Sequence, residues 1–491
     1  MRVAAGHPLP EPAGGSVVPS LVRQHLVPGV ALLAMLGLEV VGLRSGTASY
    51  VVLGLVALLA LWVIAFRLDL ARAGVATACA AAFTLAWNGW RLGGLHPGDM
   101  LVMLALVLLV MAHPNGATGM PPWWVKQLLG VLVAGVLIQI FFPPSYAYLA
   151  GRNTVNAGGG RITPITSGLV GTNISVAFRF AIAVAIIPMV FVAATRVDRR
   201  ALRWLALSFA AGSALSGWAA TADHFGANIG HLLTRVPNVS NRQAGFSMQP
   251  NFLAASLVIA VPFAFYFAFS GVRWQRLVGF WSLGGMVLGV YASGSRGGAV
   301  CVLIALALSV VLHPRTRPHA PSIALGGLVI AGLMIAAFPA LGAEILRVTR
   351  LSNSAITAGS DEVRSIVAAQ GWQDFHHYWF AGIGLQASTD ASQVYLQELA
   401  SGGILLFFGM CVYLAGGVLT SVRLLLDRSV LAGMVLAALV TTIALDFVEA
   451  DLTDRFYYLP AAILIALLDV RRRSAAGLPA RSAASQELVP A

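Results

Sequence analysis

Charged side chains are scarce in this sequence. Of its 491 residues only 10% are Asp, Glu, Lys or Arg, whereas 58% are hydrophobic. Soluble domains carry about 25% charged residues, so the composition excludes a separate soluble domain of ordinary size. It predicts instead an all-α polytopic membrane protein, because α-helices satisfy their own backbone polar groups inside the hydrocarbon.

Cysteine is also rare, and histidine is poorly placed for metal binding. The three cysteines, Cys79, Cys301 and Cys411, fall inside apolar runs without paired spacing, which excludes a disulfide framework and a cysteine-based metal site. His376 and His377 are adjacent, and adjacent side chains on a helix diverge too widely to chelate one ion together. We therefore predict no metal and no cofactor.

Acidic residues are outnumbered by basic ones, 19 against 31, which gives a formal net charge of +12. An excess of this kind is one signature of nucleic-acid binding. Here, however, most of the arginines flank apolar runs, where they act as topology signals and as contacts for anionic lipid. We expect membrane lipids as partners and no nucleic acid.

Apolar runs long enough to cross about 30 Å of hydrocarbon predict about fourteen transmembrane helices. Several runs are short, so twelve is the alternative. A single transmembrane domain then covers residues 26–470, between a polar tail at 1–25 and a second tail at 471–491. The runs lie near 26–43, 49–66, 74–89, 98–112, 124–142, 175–195, 203–221, 251–270, 278–293, 297–312, 322–341, 399–420, 431–448 and 456–470.

Positive charge predicts the orientation, because cytoplasmic loops carry the excess of Lys and Arg. With the N-terminus inside, the inner side holds 19 of the 31 basic residues, although its loops are the shorter ones. Both termini are therefore predicted to be cytoplasmic. The outer side receives three long loops, at 143–174, 222–250 and 342–398, and long loops on one face of a scaffold are typical places for binding or catalysis.

A short break with the sequence SGSRGG, residues 293–298, separates two apolar runs and is predicted to face outward. An arginine at a membrane helix end needs water, a partner or a ligand. Arg296 is therefore a candidate anion-binding residue, with Ser295 beside it. The alternative is a tight glycine turn whose arginine only snorkels to the interface.

The second long loop ends in another candidate anion site. Arg242 precedes Pro250 and Asn251, and proline suits the first turn of the next helix, whose free amide groups favour anions. Simple capping of that helix is the alternative. Arg179, about one turn into an earlier apolar run, either binds an anionic ligand or snorkels to the outer interface.

The third loop is the longest. Ser360 followed by two acidic residues predicts a helix start, and Val363, Ile366 and Val367 form an apolar stripe that would lie on the membrane surface or against the bundle. Arg364 lies off that stripe.

Taken together, these segments resemble those of a known family. Four segments occur in an order similar to that of the O-antigen ligase and polymerase superfamily of bacterial inner-membrane proteins. They are the segment 242–254, the turn 293–298, Arg364, and the stretch 382–403 with its two Gly-rich elements. The resemblance covers roughly residues 170–420. It implies a GT-C-like fold with a long helical outer loop before a late span.

The resemblance also implies an activity. Members transfer a glycan from undecaprenyl diphosphate to an acceptor hydroxyl at the outer face of the inner membrane, facing the periplasm or the outside, without metal or nucleotide. Acceptors in the superfamily are the growing glycan, lipid A core or protein serines. The number of predicted spans and the short C-terminal tail favour a repeat-unit polymerase. O-antigen ligase and protein O-oligosaccharyltransferase are the alternatives, and a chain-length regulator or a flippase is a candidate partner.

Negative charge grows on the departing diphosphate, and arginine matches phosphate oxygens with a planar fork. We therefore predict Arg296 and Arg364 as catalytic residues, with Arg242 and Arg179 as further phosphate ligands and Asn251 and Ser295 beside them. Many members carry a histidine where this chain has Ser392, so that base is missing. Asp390 is the first candidate to replace it, and His376 or His377 is the alternative. Ser392, Gln393 and Tyr395 are predicted to bind sugar.

A transporter of lipid-linked glycan or polysaccharide is the alternative from a different class. Intramembrane charges at Glu39, Arg179, Asp446 and Glu449 could line a path. Polar residues are concentrated in loops on one side rather than at the midplane, which favours the enzyme.

Overall fold

The computed structural model describes one compact unit that begins at Leu70. Within it the described residues are 83% helical and contain no strand, so the all-α prediction is confirmed. The predicted runs at 26–43 and 49–66 lie outside the described residues. Those that are described are 70–89, 96–112, 121–150, 152, 169–230, 242–337, 355–385, 393–449, 452 and 454–476.

Helices make up most of the described part of the chain. They are α1 Leu70–Thr84, α2 Pro97–Ala112, α3 Trp123–Phe141, α4 Tyr146–Ala150, α5 Leu169–Ala181, α6 Ile187–Val197, α7 Ala201–His224, α8 Pro250–Ser270, α9 Arg273–Ser293, α10 Arg296–Leu312, α11 Ala320–Ala337, α12 Ala355–His377, α13 Val394–Leu426, α14 Val430–Leu445 and α15 Arg455–Ala475. A π-helical turn, Ile182–Ile186, joins α5 to α6.

Six helices in the described part of the chain are long and apolar enough to cross a membrane. This confirms a polytopic membrane protein, and the number of fourteen spans stays a prediction. Four shorter apolar helices are α1, α2, α10 and α14. The six long candidates are Trp123–Phe141, Val176–Val197, Ala201–His224, Pro250–Ser270, Arg317–Ala337 and Val394–Leu426.

Successive helices alternate in direction, so their ends gather at two faces. At one face the Arg242 side chain meets the end of α9, and the amide of Val394 at the start of α13 donates to the carbonyl of Asp446 after α14, at 2.9 Å. At the other face Arg196 pairs with Asp469 at 2.7 Å. The first face carries the loops predicted to lie outside, and we call it the loop face.

Helix α8 lies at the centre of the packing, and 94% of its most apolar 18-residue stretch is buried. Its neighbours α7 and α9 approach each other closely at glycines, where a side-chain carbon on Gly289 would meet the backbone of Gly217. Small residues permit such approach between membrane helices. This packing brings the end of α9, and with it the turn 293–298, beside the start of α8.

Helix α12 begins earlier than the sequence suggests. The predicted start at Ser360 is wrong, because the helix already runs from Ala355. Alanines at the preceding positions are strong helix formers and extend it backwards. Of the predicted apolar stripe, Val367 is buried while Ile366 is exposed, so the stripe contacts the bundle only in part.

Candidate functional site

The turn 293–298 is a capped junction between α9 and α10. Gly294 has φ +58°, a left-handed conformation that glycine adopts without strain. Ser295 is the N-cap of α10, and its hydroxyl accepts a hydrogen bond from the amide of Gly298 at 3.2 Å. Ser295 is buried. Its hydroxyl is therefore engaged in shaping the turn.

The end of the second loop is fastened onto this turn by Arg242. Its Nε donates to the carbonyl of Ser293 at 2.8 Å, and its Nη2 donates to the Asn251 side chain on α8. The amide of Gln243 donates to the carbonyl of Ala292 at 3.0 Å. The structure thus brings together two segments that the sequence assigned to one phosphate site.

Arg296, the first residue of α10, extends from the turn toward α12. Its guanidinium pairs with the Asp361 carboxylate, with one contact, Nη1 to Oδ2, at 3.4 Å. The Arg296 side chain is 33% exposed and that of Asp361 is 53% exposed. An ion pair this open exchanges readily with solvent ions, so an anionic ligand has access to Arg296.

Arg364 lies one helical turn beyond Asp361 on the same helix. Residues three apart on a helix are neighbours on its surface. Arg296, which contacts Asp361, therefore lies on the same side of α12 as the Arg364 side chain. The Arg364 Nη2 lies 4.0 Å from Oε1 of Glu449, and its side chain is 40% exposed. Two accessible guanidinium groups therefore meet at the first half of α12.

Glu449, in the loop after α14, was predicted only as a charge of the transporter alternative and not as a residue of the glycan site. Besides its contact with Arg364, its carbonyl accepts a hydrogen bond from the amide of Val394 at 2.9 Å. Acidic residues recur at 446, 449, 451 and 454. In a chain with so few carboxylates, that clustering beside a helix end was the available signal.

The other predicted residues are placed less centrally. Asp390 and Ser392 lie outside the described residues, and Gln393 is the N-cap of α13. The Tyr395 hydroxyl donates to the carbonyl of Ile443 at 2.9 Å. Arg179 is exposed and interacts electrostatically with Asp99, which pairs with Arg455.

The two histidines stand at the far end of α12. His376 bonds through Nδ1 to the carbonyl of Trp372 at 2.7 Å, and His377 stacks on Tyr148 with ring centroids 4.4 Å apart. Twelve residues of α-helix correspond to about 18 Å, which separates them from Arg364. The structure therefore does not bring His376 or His377 to Arg296 or Arg364.

A buried polar cluster at this far end ties the first loop to α12. Asp374 pairs with Arg152 and accepts hydrogen bonds from Tyr148 and Gln370, each at 3.0 Å. Burial, and then the neighbouring Asp374 carboxylate, raise the pKa of Tyr148 above its usual value. Tyr148 therefore keeps the proton that it donates at neutral pH.

The glycine motifs before and within α13 contact each other. Gly403, with φ +64°, interrupts α13, and the freed amide of Ile404 donates to the carbonyl of Trp379 at 2.8 Å. The amide of Gly384 donates to the carbonyl of Ser401 at 3.0 Å. The segment after α12 is thereby held in the kink of α13, which limits where α12 can lie.

This arrangement suits the binding of a doubly charged phosphate group. Paired guanidinium groups give charge-assisted, directional hydrogen bonds to phosphate oxygens. Within the residues that the structure describes, no group of three His, Cys, Asp or Glu side chains is arranged to hold a metal ion. The described cations of the site are arginines.

Comparison with known proteins finds a similar family for part of this chain. No curated protein matches the chain. A family model described as O-Antigen ligase matches residues 278–403, which run from within α9 to the kink of α13 and include Arg296, Asp361 and Arg364. Members of that family are glycosyltransferase-like enzymes. Residues 278–403 of this membrane protein therefore carry the O-antigen ligase family signature, and the resemblance to the O-antigen ligase and polymerase superfamily is confirmed.

Proposed function

We propose that this protein transfers a glycan from undecaprenyl diphosphate to an acceptor hydroxyl at the outer face of the bacterial inner membrane. The observation that carries the proposal is the meeting of Arg296 and Arg364, both accessible, on one side of α12 within the matched segment. Both lie at the loop face, where a lipid-linked donor would present its diphosphate.

The chemistry requires stabilisation of a leaving group. The acceptor oxygen attacks the anomeric carbon, the bond from that carbon to the phosphate oxygen breaks, and its electron pair stays on the diphosphate. Preorganised cations next to the developing charge lower the barrier. Arg296 and Arg364 supply that charge without a metal ion, and Asp361 occupies Arg296 until phosphate oxygens replace it.

Arg242 and Asn251 support this site from behind. Their hydrogen bond, together with the one from Arg242 to Ser293, holds the turn that presents Arg296. A displacement of about 1 Å is enough to slow a positioned reaction severely. We propose that these two residues position Arg296, and that Gln393 and Tyr395 at the start of α13 border the glycan.

Among acceptors we favour the growing glycan itself, which makes the protein a repeat-unit polymerase. The large predicted number of spans supports this choice. Lipid A core, as in an O-antigen ligase, and protein serines are the other acceptors. A chain-length regulator or a flippase would then be a partner in the same membrane.

Reconstitution tests the proposal. The purified protein in liposomes is given an undecaprenyl-diphosphate-linked repeat unit, and release of undecaprenyl diphosphate is measured together with product length. A ladder of products from the donor alone indicates polymerisation, whereas product that forms only with added lipid A core indicates a ligase.

The matched variants are Arg296→Ala and Arg273→Ala. Arg273 is exposed at the start of α9, at the opposite face. Loss of one oriented donor to a developing anion costs about 10²–10³-fold in rate, so Arg296→Ala should fall at least that far while Arg273→Ala stays at the wild-type rate. Wild-type transfer by a well-folded Arg296→Ala protein would refute the assignment.

A further inference from the structure

The reaction needs a group that takes the proton of the acceptor hydroxyl, and the chain has Ser392 where many superfamily members carry a histidine. A serine hydroxyl does not accept protons near neutral pH. The base must therefore be a carboxylate or an imidazole beside the two arginines, an inference that rests on the proposed function.

The backbone of Glu449 lies next to the start of α13, where that histidine would stand. The amide of Val394, two residues after Ser392, donates to the carbonyls of both Asp446 and Glu449 at 2.9 Å. These hydrogen bonds fasten the loop after α14 to the beginning of α13. A side chain on this loop therefore lies beside the start of α13.

The carboxylate of Glu449 lies between the two arginine-bearing segments. Its Oε1 is 4.0 Å from Nη2 of Arg364 and 3.9 Å from the point where Gly297 would carry a side-chain carbon. Gly297 directly follows Arg296, and the neighbouring Val448 side chain lies closer still to that point, so the loop that carries Glu449 packs against the turn. The Glu449 side chain is only 7% exposed, so bulk water competes little with a bound hydroxyl.

The other described carboxylates near α12 and α13 have different surroundings. Asp361 pairs with Arg296, and Asp374 pairs with Arg152 at the far end of α12. Glu398 is 1% exposed beneath the start of α13. The Glu449 carboxylate lies 4.0 Å from the Arg364 guanidinium, and its loop packs against Gly297 of the turn.

We propose that Glu449 is the general base of the transfer and takes the place of the family histidine. As the acceptor oxygen forms its bond to the anomeric carbon, its proton moves to a carboxylate oxygen of Glu449. The bond between the anomeric carbon and the phosphate oxygen breaks at the same time, and the electron pair leaves with the diphosphate. The proton then passes from Glu449 to water.

Azide distinguishes a base from a structural residue. Azide is an anionic nucleophile without a proton to lose, so it needs no base. In the reconstituted assay, Glu449→Ala should lower transfer to the hydroxyl acceptor by about 10²–10⁴-fold. Added sodium azide should restore release of undecaprenyl diphosphate and yield a glycosyl azide, detected by mass spectrometry. The isosteric Glu449→Gln should behave in the same way.

Two controls accompany these variants. Glu362→Gln changes an exposed glutamate on α12 and should transfer at the wild-type rate, and size-exclusion chromatography checks that each variant is folded. Wild-type transfer by Glu449→Gln, or a folded inactive variant that azide does not rescue, would overturn the proposal. If Asp390→Asn, rather than the Glu449 variants, lost transfer to the hydroxyl acceptor and regained donor cleavage with azide, the base would be Asp390. If the wild-type protein cleaves no donor, the proposed function itself fails.

Discussion

Arginine side chains at the loop face differ in what they contact. Arg242 bonds to a main-chain carbonyl and to an amide side chain, so its directional fork is used inside the protein. Arg296 instead faces the exposed carboxylate of Asp361, which an anionic ligand can replace, and the Arg364 side chain is itself 40% exposed beside the buried Glu449. Arginines of one type therefore divide into a structural role and a proposed ligand-binding role.

Arg242→Lys should destabilise the site although it keeps the charge. A single ammonium group cannot reproduce two hydrogen bonds that diverge from a planar fork. Loss of one hydrogen bond to a charged group costs about 1.5–3 kcal/mol, which scanning fluorimetry in detergent would show as a lower Tm. Arg273→Lys is the control, and an equal Tm for the two variants would contradict the structural role.

At the scale of elements, α12 is held at both ends by different means. Its first half meets α10 through the exposed pair of Arg296 and Asp361, and its far end is tied to the first loop through the buried pair of Arg152 and Asp374. An exposed pair contributes little to stability. By this comparison the far end is the firmer of the two attachments.

Arg152→Ala should release this attachment. Breaking a buried pair leaves an uncompensated charge and costs about 3–5 kcal/mol. Hydrogen–deuterium exchange should rise in peptides covering α4 and the last turn of α12. Replacing both partners, Arg152→Met with Asp374→Leu, should recover part of the loss, and a single variant as stable as the wild type would refute the prediction.

The kink of α13 depends on Gly403. Its positive φ strains any other residue, at about 1–3 kcal/mol, and a side-chain carbon there would overlap the backbone of Phe380. Gly403→Ala should therefore lower both Tm and transfer. Gly135→Ala on α3, where nothing lies within 4 Å of the added carbon, is the matched control and should leave both unchanged. Equal behaviour of the two variants would argue against the kink as a functional element.

At the scale of the whole molecule, alternating helices gather the polar segments at one face. The count of Lys and Arg predicts that this face is the outer one. A reporter fusion after Ala227, between α7 and α8, should give active alkaline phosphatase, and a fusion after Val272, between α8 and α9, should give fluorescent green fluorescent protein. The reverse pattern would place the arginines in the cytoplasm and exclude a periplasmic reaction.

The sequence by itself determined the class of the protein and most of its helical segments. Composition and the length of apolar runs are local properties, and the backbone has no alternative to helix or closed barrel within lipid. The order of the motifs also indicated the superfamily, and residues 278–403 confirm it. Because successive spans are expected to alternate in direction, the sequence also limited which loops could lie on the same face.

Only the tertiary structure decided which of these residues are neighbours. The pairing of Arg296 with Asp361 and of Arg364 with Glu449 depends on how helices pack side by side, and no local pattern encodes that packing. The same packing placed His376 and His377 at the far end of α12 and brought Glu449, outside every motif, to the arginines. Local sequence predicts which helix ends share a face, but lateral packing decides which ends touch.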